Sequence, residues 1–249
     1  MPSWQSHNGR DNGYTEMELM SFDNVGLSFK RQNKKPYWAL KQVSFNILEG
    51  ETLGVIGSNG AGKSTLLRII AGTYIADKGK IVRNTESCAL LSLQLGFVPY
   101  LNGIDNLILS GMLQGLDKKY IISRIPAILD FSELREMIKE PINTWSTGMV
   151  ARLGFTLALE IKPKILLIDE SLSVGDASFA KKSTAAIKQR IKSNQTVVLV
   201  SHSTKTIKEL CNRVLWIENG TTKTLGSTLD VLQQYEQFVA ASVGKKIWR

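Results

Sequence analysis

Residues 57–64, Gly57-Ser58-Asn59-Gly60-Ala61-Gly62-Lys63-Ser64, constrain the fold of this chain more than any other stretch. They follow a short apolar run, TLGVIG at 52–57, and open a helical pattern, STLLRIIAG at 64–72. Three glycines let backbone N–H groups converge on an anion, and a helix start adds unpaired N–H groups and the positive end of its dipole. A GxxxxGK[ST] spacing between a strand and a helix is the arrangement that cradles the phosphates of a nucleotide. Residues Gly57 through Ser64, with Thr65 beside them, are therefore expected to bind nucleotide. Lys63 is placed to reach the β- and γ-phosphates, and Ser64 to ligate Mg2+.

The order of elements around this loop sets the fold class. Short β-rich runs come first, at 17–29, 39–47 and 52–57. From about 102 to 160 the pattern is mostly helical, with Pro126 and Pro141 read as breaks. Three apolar strand candidates follow, ILLID at 165–169, TVVLV at 196–200 and VLWIE at 214–218, separated by helical stretches near 177–193 and 204–211. Strands alternating with helices predict an α/β fold whose parallel sheet carries helices on its faces, with the helical middle as an inserted subdomain. An amphipathic segment at 227–241 ends the pattern.

A second chemical signal lies about a hundred residues after the loop. Ile165-Leu166-Leu167-Ile168-Asp169-Glu170 reads as a buried strand closed by two carboxylates. Successive side chains on a strand point to opposite sides, so the two acids can do different work. Asp169 is expected to hold Mg2+, through water, and Glu170 to polarise the attacking water of a phosphoryl transfer.

The remaining features exclude more than they assign. Residues 1–16 hold no apolar core of the kind a secretory signal needs and read as a mobile polar extension. Cys88 and Cys211 form no CxxC and have no histidine cluster nearby, so neither a disulfide framework nor a zinc site is expected. Residues 87–104 carry no charge, yet Ser87, Ser92, Gln94, Pro99 and Asn102 interrupt their apolar positions, which argues against a membrane span. They read as a docking surface or a buried core strand. The net charge is +9, and the stretch 177–208 holds seven basic residues and no acid. That run reads as a solvated helix face rather than a nucleic-acid patch.

Five further segments align in order with the ATP-binding cassette (ABC) family, which the chain resembles over about residues 17–242. WSTGM at 145–149 occupies the place of that family's signature loop, SVGD at 173–176 that of its D-loop, and Ser201-His202-Ser203 that of its switch histidine. The resemblance implies that Ser146 and Gly148 contact the γ-phosphate of ATP bound on an opposite subunit. It places Asp176 at the seam between subunits and makes His202 the γ-phosphate sensor. Gln94 lies where the family's Q-loop residue approaches Mg2+. The aromatic that stacks on adenine is Phe29, Tyr37 or Trp38, with Tyr37 preferred.

The resemblance narrows further. WSTGM, YWALKQVSF (37–45), SCALLSLQLGF (87–97), SVGDASFAKK (173–182) and LCNRVLWIENG (210–220) are similar to ATP-binding subunits of bacterial polysaccharide and polyol-phosphate exporters. Ser92 stands where many of those subunits carry an acid. The likeness implies a P-loop ABC cassette over 17–242, with a parallel-sheet core, an N-terminal antiparallel β portion, a helical subdomain at about 98–160 and a basic tip at 243–249. It implies ATP and Mg2+ as cofactors and a second copy of the chain as partner in a head-to-tail dimer. It also implies a polytopic membrane permease, with a lipid-linked glycan as indirect cargo and no nucleic acid. The expected location is the cytoplasmic face of the inner membrane, peripherally bound. Many members carry a further carbohydrate-binding domain, which a chain of 249 residues is not expected to hold.

Overall fold

The computed structural model describes residues 17–32, 34–91, 96–169 and 176–244. The terminal segments 1–16 and 245–249, and the expected site residues Gln94 and Glu170, lie outside them. Among the described residues the strands are β1 (Glu18–Arg31), β2 (Lys34–Leu48), β3 (Thr52–Ile56), β4 (Lys78–Arg83), β5 (Cys88–Leu90), β6 (Ile165–Ile168), β7 (Thr196–Val200), β8 (Arg213–Glu218) and β9 (Thr221–Ser227). The helices are α1 (Lys63–Ile70), α2 (Gly103–Leu113), α3 (Lys118–Ser132), α4 (Thr147–Glu160), α5 (Ala177–Lys192), α6 (Thr204–Leu210) and α7 (Thr228–Gly244).

The strands form one sheet in the order β4-β1-β2-β9-β8-β3-β7-β6-β5. Its centre is parallel: β3 pairs with β7 and β8, and β6 with β5 and β7. Every residue of β3, β6 and β7 is buried, as expected of strands covered on both faces. Their side chains alternate between two hydrophobic clusters. Leu53, Val55, Ile165, Leu167, Val198 and Val200 join the cluster containing Leu66 and Ile70 of α1. Ile56, Leu166, Ile168, Val197 and Leu199 join the one containing Ile191 of α5 and Ile207 of α6. The two-residue period of the strand thus puts helices on both sides of the sheet.

At the other end, β1 pairs antiparallel with both β2 and β4, which is the antiparallel portion expected from the sequence. A third cluster lies apart from the sheet, where Leu107, Ile121, Ile128, Trp145, Leu153 and Leu157 pack α2, α3 and α4 together.

Two expectations are corrected. Pro126 does not end a helix, because α3 runs through it. Ile121, Ile128 and Leu129 anchor the helix from both sides of the proline, which itself stands exposed. The carbonyl that Pro126 leaves without a partner belongs to Ile122, whose side chain also faces solvent, so water can satisfy it. The basic run is only partly a solvated face. Lys182 and Lys188 pair with Glu133 and Glu209, and Arg190 donates to the carbonyls of Leu159 and Ile161 at the end of α4.

The described part of the uncharged stretch is neither a span nor a buried core strand. Cys88–Leu90 forms the half-buried edge strand β5, whereas Phe97 and Pro99 line a groove of about 310 Å3 with Ile142, Asn143, Trp145, Thr147 and Val150. Both cysteines are free thiols, and burial pushes each up to about 12.

Candidate functional site

The parallel strands β3, β6 and β7 end at one edge of the sheet, where ligands of open α/β sheets gather. The loop after β3 carries the glycines, Asp169 follows β6, and His202 lies two residues past β7. Phe29, Tyr37, Ala39, Asn59, Gly60, Gly62, Lys63, Ser64, Thr65, Asp169, Val200 and His202 line a single cleft of about 290 Å3. Residues far apart in the sequence are thus brought together around the glycine-rich loop.

Each glycine of the loop has its own reason. Gly57, at φ 151°, sits against β8, where an added Cβ would lie 2.0 Å from the Ile217 carbonyl oxygen. Gly62, at φ 105°, precedes α1, and its Cβ would fall 2.6 Å from the Ala39 oxygen. Gly60, at φ 79°, faces open space and is required only for its left-handed backbone. Inside the loop, Lys63 is 7% exposed and donates its ammonium to the carbonyls of Gly57 and Ser58, at 2.8 and 2.9 Å. The loop thus pre-positions a cation over its own turn.

Two groups that sequence reasoning missed hold this loop from outside. Glu218, the last residue of β8, accepts the Ser58 hydroxyl at 2.5 Å. The turn Asn219-Gly220, with φ of 51° and 75°, reverses the chain into β9, and the Gly220 N–H donates to the Ala61 carbonyl at 3.2 Å. An Asn-Gly pair after an apolar strand is a hairpin signal that was legible in VLWIENGTTK.

The aromatic alternatives separate. Phe29 and Tyr37 face each other across β1 and β2, and both line the cleft. Tyr37 also has the Arg31 guanidinium 4.4 Å from its ring centre. Trp38 points to the other side of the strand, with the Lys78 ammonium over its ring at 4.9 Å, and it does not line the cleft.

Ser146, Gly148 and Asp176 lie elsewhere. They line a second cavity of about 740 Å3, together with Glu133 and Arg152, that shares no lining residue with the first. Ser146 caps α4, its hydroxyl accepting the Met149 N–H at 3.2 Å. Asp176 caps α5 by accepting the N–H groups of Ser178 and Phe179, both at 3.0 Å, and forms an ion pair with Arg152. The Phe179 N–H, foremost, and the Arg152 guanidinium hold the Asp176 carboxyl below its ordinary value. Glu133, the residue that ends α3, is held below its ordinary value chiefly by its hydrogen bond from Lys182.

Among the described residues, no three His, Cys, Asp or Glu side chains gather as a metal cage. The cleft instead offers a single carboxylate among the described residues, Asp169, and hydroxyls that include that of Ser64. That donor set fits Mg2+, a hard cation bound by one or two protein oxygens, phosphate and water.

Comparison with known proteins agrees with this geometry. The family model described as ABC transporter matches residues 40–173. The O-antigen export system ATP-binding protein RfbB of Klebsiella pneumoniae is 39% identical over 213 residues, covering 86% of this chain and 87% of that protein. The teichoic acids export ATP-binding protein TagH of Lactococcus lactis subsp. lactis is 41% identical over 208 residues, 84% of this chain but 44% of that protein, so the chain spans less than half of it. Among solved structures, the dimeric post-hydrolysis state of the ATP-binding cassette MJ0796 bound to ADP and Pi covers 84% of this chain and 99% of its own, with a TM-score of 0.69 at 22% identity. That likeness shows the fold. With a family model matched over more than half its length and a relative aligned across most of both chains, this protein belongs to the ABC transporter family and has the fold of its ATP-binding cassette.

Proposed function

We propose that this chain is the ATP-hydrolysing subunit of an exporter that moves a lipid-linked polysaccharide across the bacterial inner membrane through a separate polytopic subunit. The observation that carries the reading is the division of the expected site residues between two cavities with no common wall. The phosphate loop, Asp169 and His202 line one; Ser146, Gly148 and Asp176 line the other. A second copy, docked head to tail, would bring its Ser146 and Gly148 to the open side of the first cleft and complete two sites at once.

In that dimer the N–H groups of 57–65 and the Lys63 ammonium bind the phosphates, and Tyr37 or Phe29 stacks on adenine. Ser64 and Asp169 would hold Mg2+, with Gln94 approaching it, and the ion supplies neutralisation of the charge on the β- and γ-phosphates. Glu170 draws a proton from the attacking water as oxygen bonds to the γ-phosphorus. The bond to the bridging oxygen breaks, and ADP leaves with that oxygen and its electron pair. His202 and the opposing Ser146 hydroxyl and helix N-terminus stabilise the transferred group. Because the site exists only when two copies close, each turnover opens and closes a dimer that can move a partner.

The cargo class is supported by the names of the relatives, which are ATP-binding proteins of teichoic acid and O-antigen export. The names of these relatives, ATP-binding proteins of export systems, support a separate pore subunit and a place for this chain at the cytoplasmic membrane face; no helix among the described residues is long and apolar enough to cross a membrane. The groove between Phe97 and Trp145 is where that polypeptide would dock. Purification from native membranes tests the whole reading. It predicts a co-purifying integral subunit, a lipid-linked glycan that stimulates turnover, and no ATPase activity after Lys63→Ala. Recovery of the chain with polysomes or DNA instead would overturn it.

A further inference from the structure

We infer that Glu133 is a positioning residue for ATP turnover, holding the start of α4 in register with Asp176 from a left-handed conformation at the end of α3. The inference rests on the functional reading above and concerns the cavity lined by Ser146, Gly148 and Asp176.

Glu133 sits at φ 61° and ψ 40°, and its N–H closes α3 on the Leu129 carbonyl at 2.9 Å. Helices commonly end on a left-handed residue, but that residue is usually glycine, or asparagine, because a longer side chain is strained there. Glycine would end α3 equally well. What glutamate adds is a carboxylate that accepts the Lys182 ammonium at 2.9 Å and lies 3.6 Å from Arg152. Its side chain is 59% exposed, and exposed ion pairs contribute little to stability. The strain and the pairs roughly cancel, so stability does not explain the residue. Geometry does.

The contacts converge on Arg152, which stands in α4 between two carboxylates, Asp176 on one side and Glu133 on the other. Its guanidinium also lies 5.1 Å from the centre of the Phe179 ring. Lys182 completes the joint from α5, donating to the Phe131 carbonyl at 2.8 Å and lying over the Phe131 ring at 4.7 Å. Three helices meet there: α3 through Glu133, α4 through Arg152, and α5 through Asp176 and Lys182. Since α4 opens on Ser146 and Gly148, this joint sets where the γ-phosphate contacts stand relative to Asp176. Without Glu133, Arg152 keeps one carboxylate and α4 gains freedom to pivot about it.

The test compares wild-type, Glu133→Gly and Glu133→Gln chains by steady-state ATPase kinetics and thermal denaturation. Glycine suits the left-handed backbone, so Glu133→Gly should melt at the wild-type temperature or above, with KM for ATP within about twofold and kcat lowered about tenfold. Glutamine keeps an acceptor for Lys182 but no charge for Arg152, so its kcat should fall between the two. A Glu133→Gly chain with wild-type kcat, or one whose kcat falls only together with its melting temperature, overturns the inference. Wild-type chains without ATPase activity would overturn the functional reading and this role with it. Active wild type beside an equally active Glu133→Gly overturns this role alone.

Discussion

The Ser58 hydroxyl donates to the Glu218 carboxylate at 2.5 Å, tying the phosphate loop to the last residue of β8. Glu218 is 6% exposed and Ser58 is exposed, so the bond is part-buried, and Ser58 also directs its backbone N–H at the same carboxylate at 3.4 Å. Removing the acceptor leaves the exposed Ser58 hydroxyl to water and unties the loop from β8. Glu218→Ala should lower stability by about 1 kcal/mol and raise KM for ATP, whereas Glu218→Gln, which keeps an acceptor, should do less of both. Denaturant melts and ATPase kinetics on the two variants check this. Equal KM in all three chains would show that the tie does not shape the loop.

The loop glycines should differ sharply in tolerance. Gly57→Ala drives a methyl into the Ile217 carbonyl, a backbone atom on a buried strand that cannot step aside. It should cost more than about 3 kcal/mol. Gly60→Ala meets nothing and bears only the left-handed backbone penalty, about 1 kcal/mol. Chemical denaturation of both separates the two causes.

Adenine recognition should depend on Tyr37 and not on Trp38. Base–aromatic stacking contributes about 1–3 kcal/mol, so Tyr37→Ala should raise KM for ATP about tenfold or more. Trp38→Ala should leave KM unchanged, because Trp38 faces Lys78 away from the cleft. If Phe29→Ala produces the larger rise, the stacking residue is Phe29, its partner across the strands.

Acid should loosen the joint around Arg152. The Asp176 and Glu133 carboxyls lie below their ordinary values of 3.8 and 4.5, so their contribution to stability is complete above those values and is lost as pH falls through the lowered ones. Asp176→Asn keeps an acceptor for the α5 cap but not the charge. It should melt below wild type at neutral pH, and the two melting curves should converge as pH falls below the ordinary carboxylate range. A gap that stays constant with pH would remove charge as the cause.

Much of this was legible before the structure. GSNGAGKS placed the glycine-rich turn between β3 and α1, and the apolar runs at 52–57, 165–169 and 196–200 became β3, β6 and β7 because strands buried on both faces must be continuously apolar. β9 was missed because its threonines and lysine, TTKTLGS, carry no apolar alternation, although Asn219-Gly220 announced the turn before it. Pro126 misled because its cost depends on whether the freed carbonyl reaches water, which only packing decides. Glu133 gave no sequence signal, since a left-handed glutamate looks like any surface acid until its backbone is seen. The division of the expected site between two cavities follows the resemblance, which puts Ser146 and Gly148 on an opposite subunit's ATP; spacing along the chain alone does not report which edge of a fold a residue reaches.

The central claim is that a working site needs two copies of this chain. The mass in solution of Glu170→Gln, with and without ATP, tests it most directly, because slowing hydrolysis should trap the closed dimer. The account predicts a monomer without nucleotide, twice that mass with ATP, and a return to monomer when Ser146→Phe is added at the second cavity. A Glu170→Gln chain that binds ATP yet stays monomeric, or one that dimerises equally well with Ser146→Phe, would contradict it.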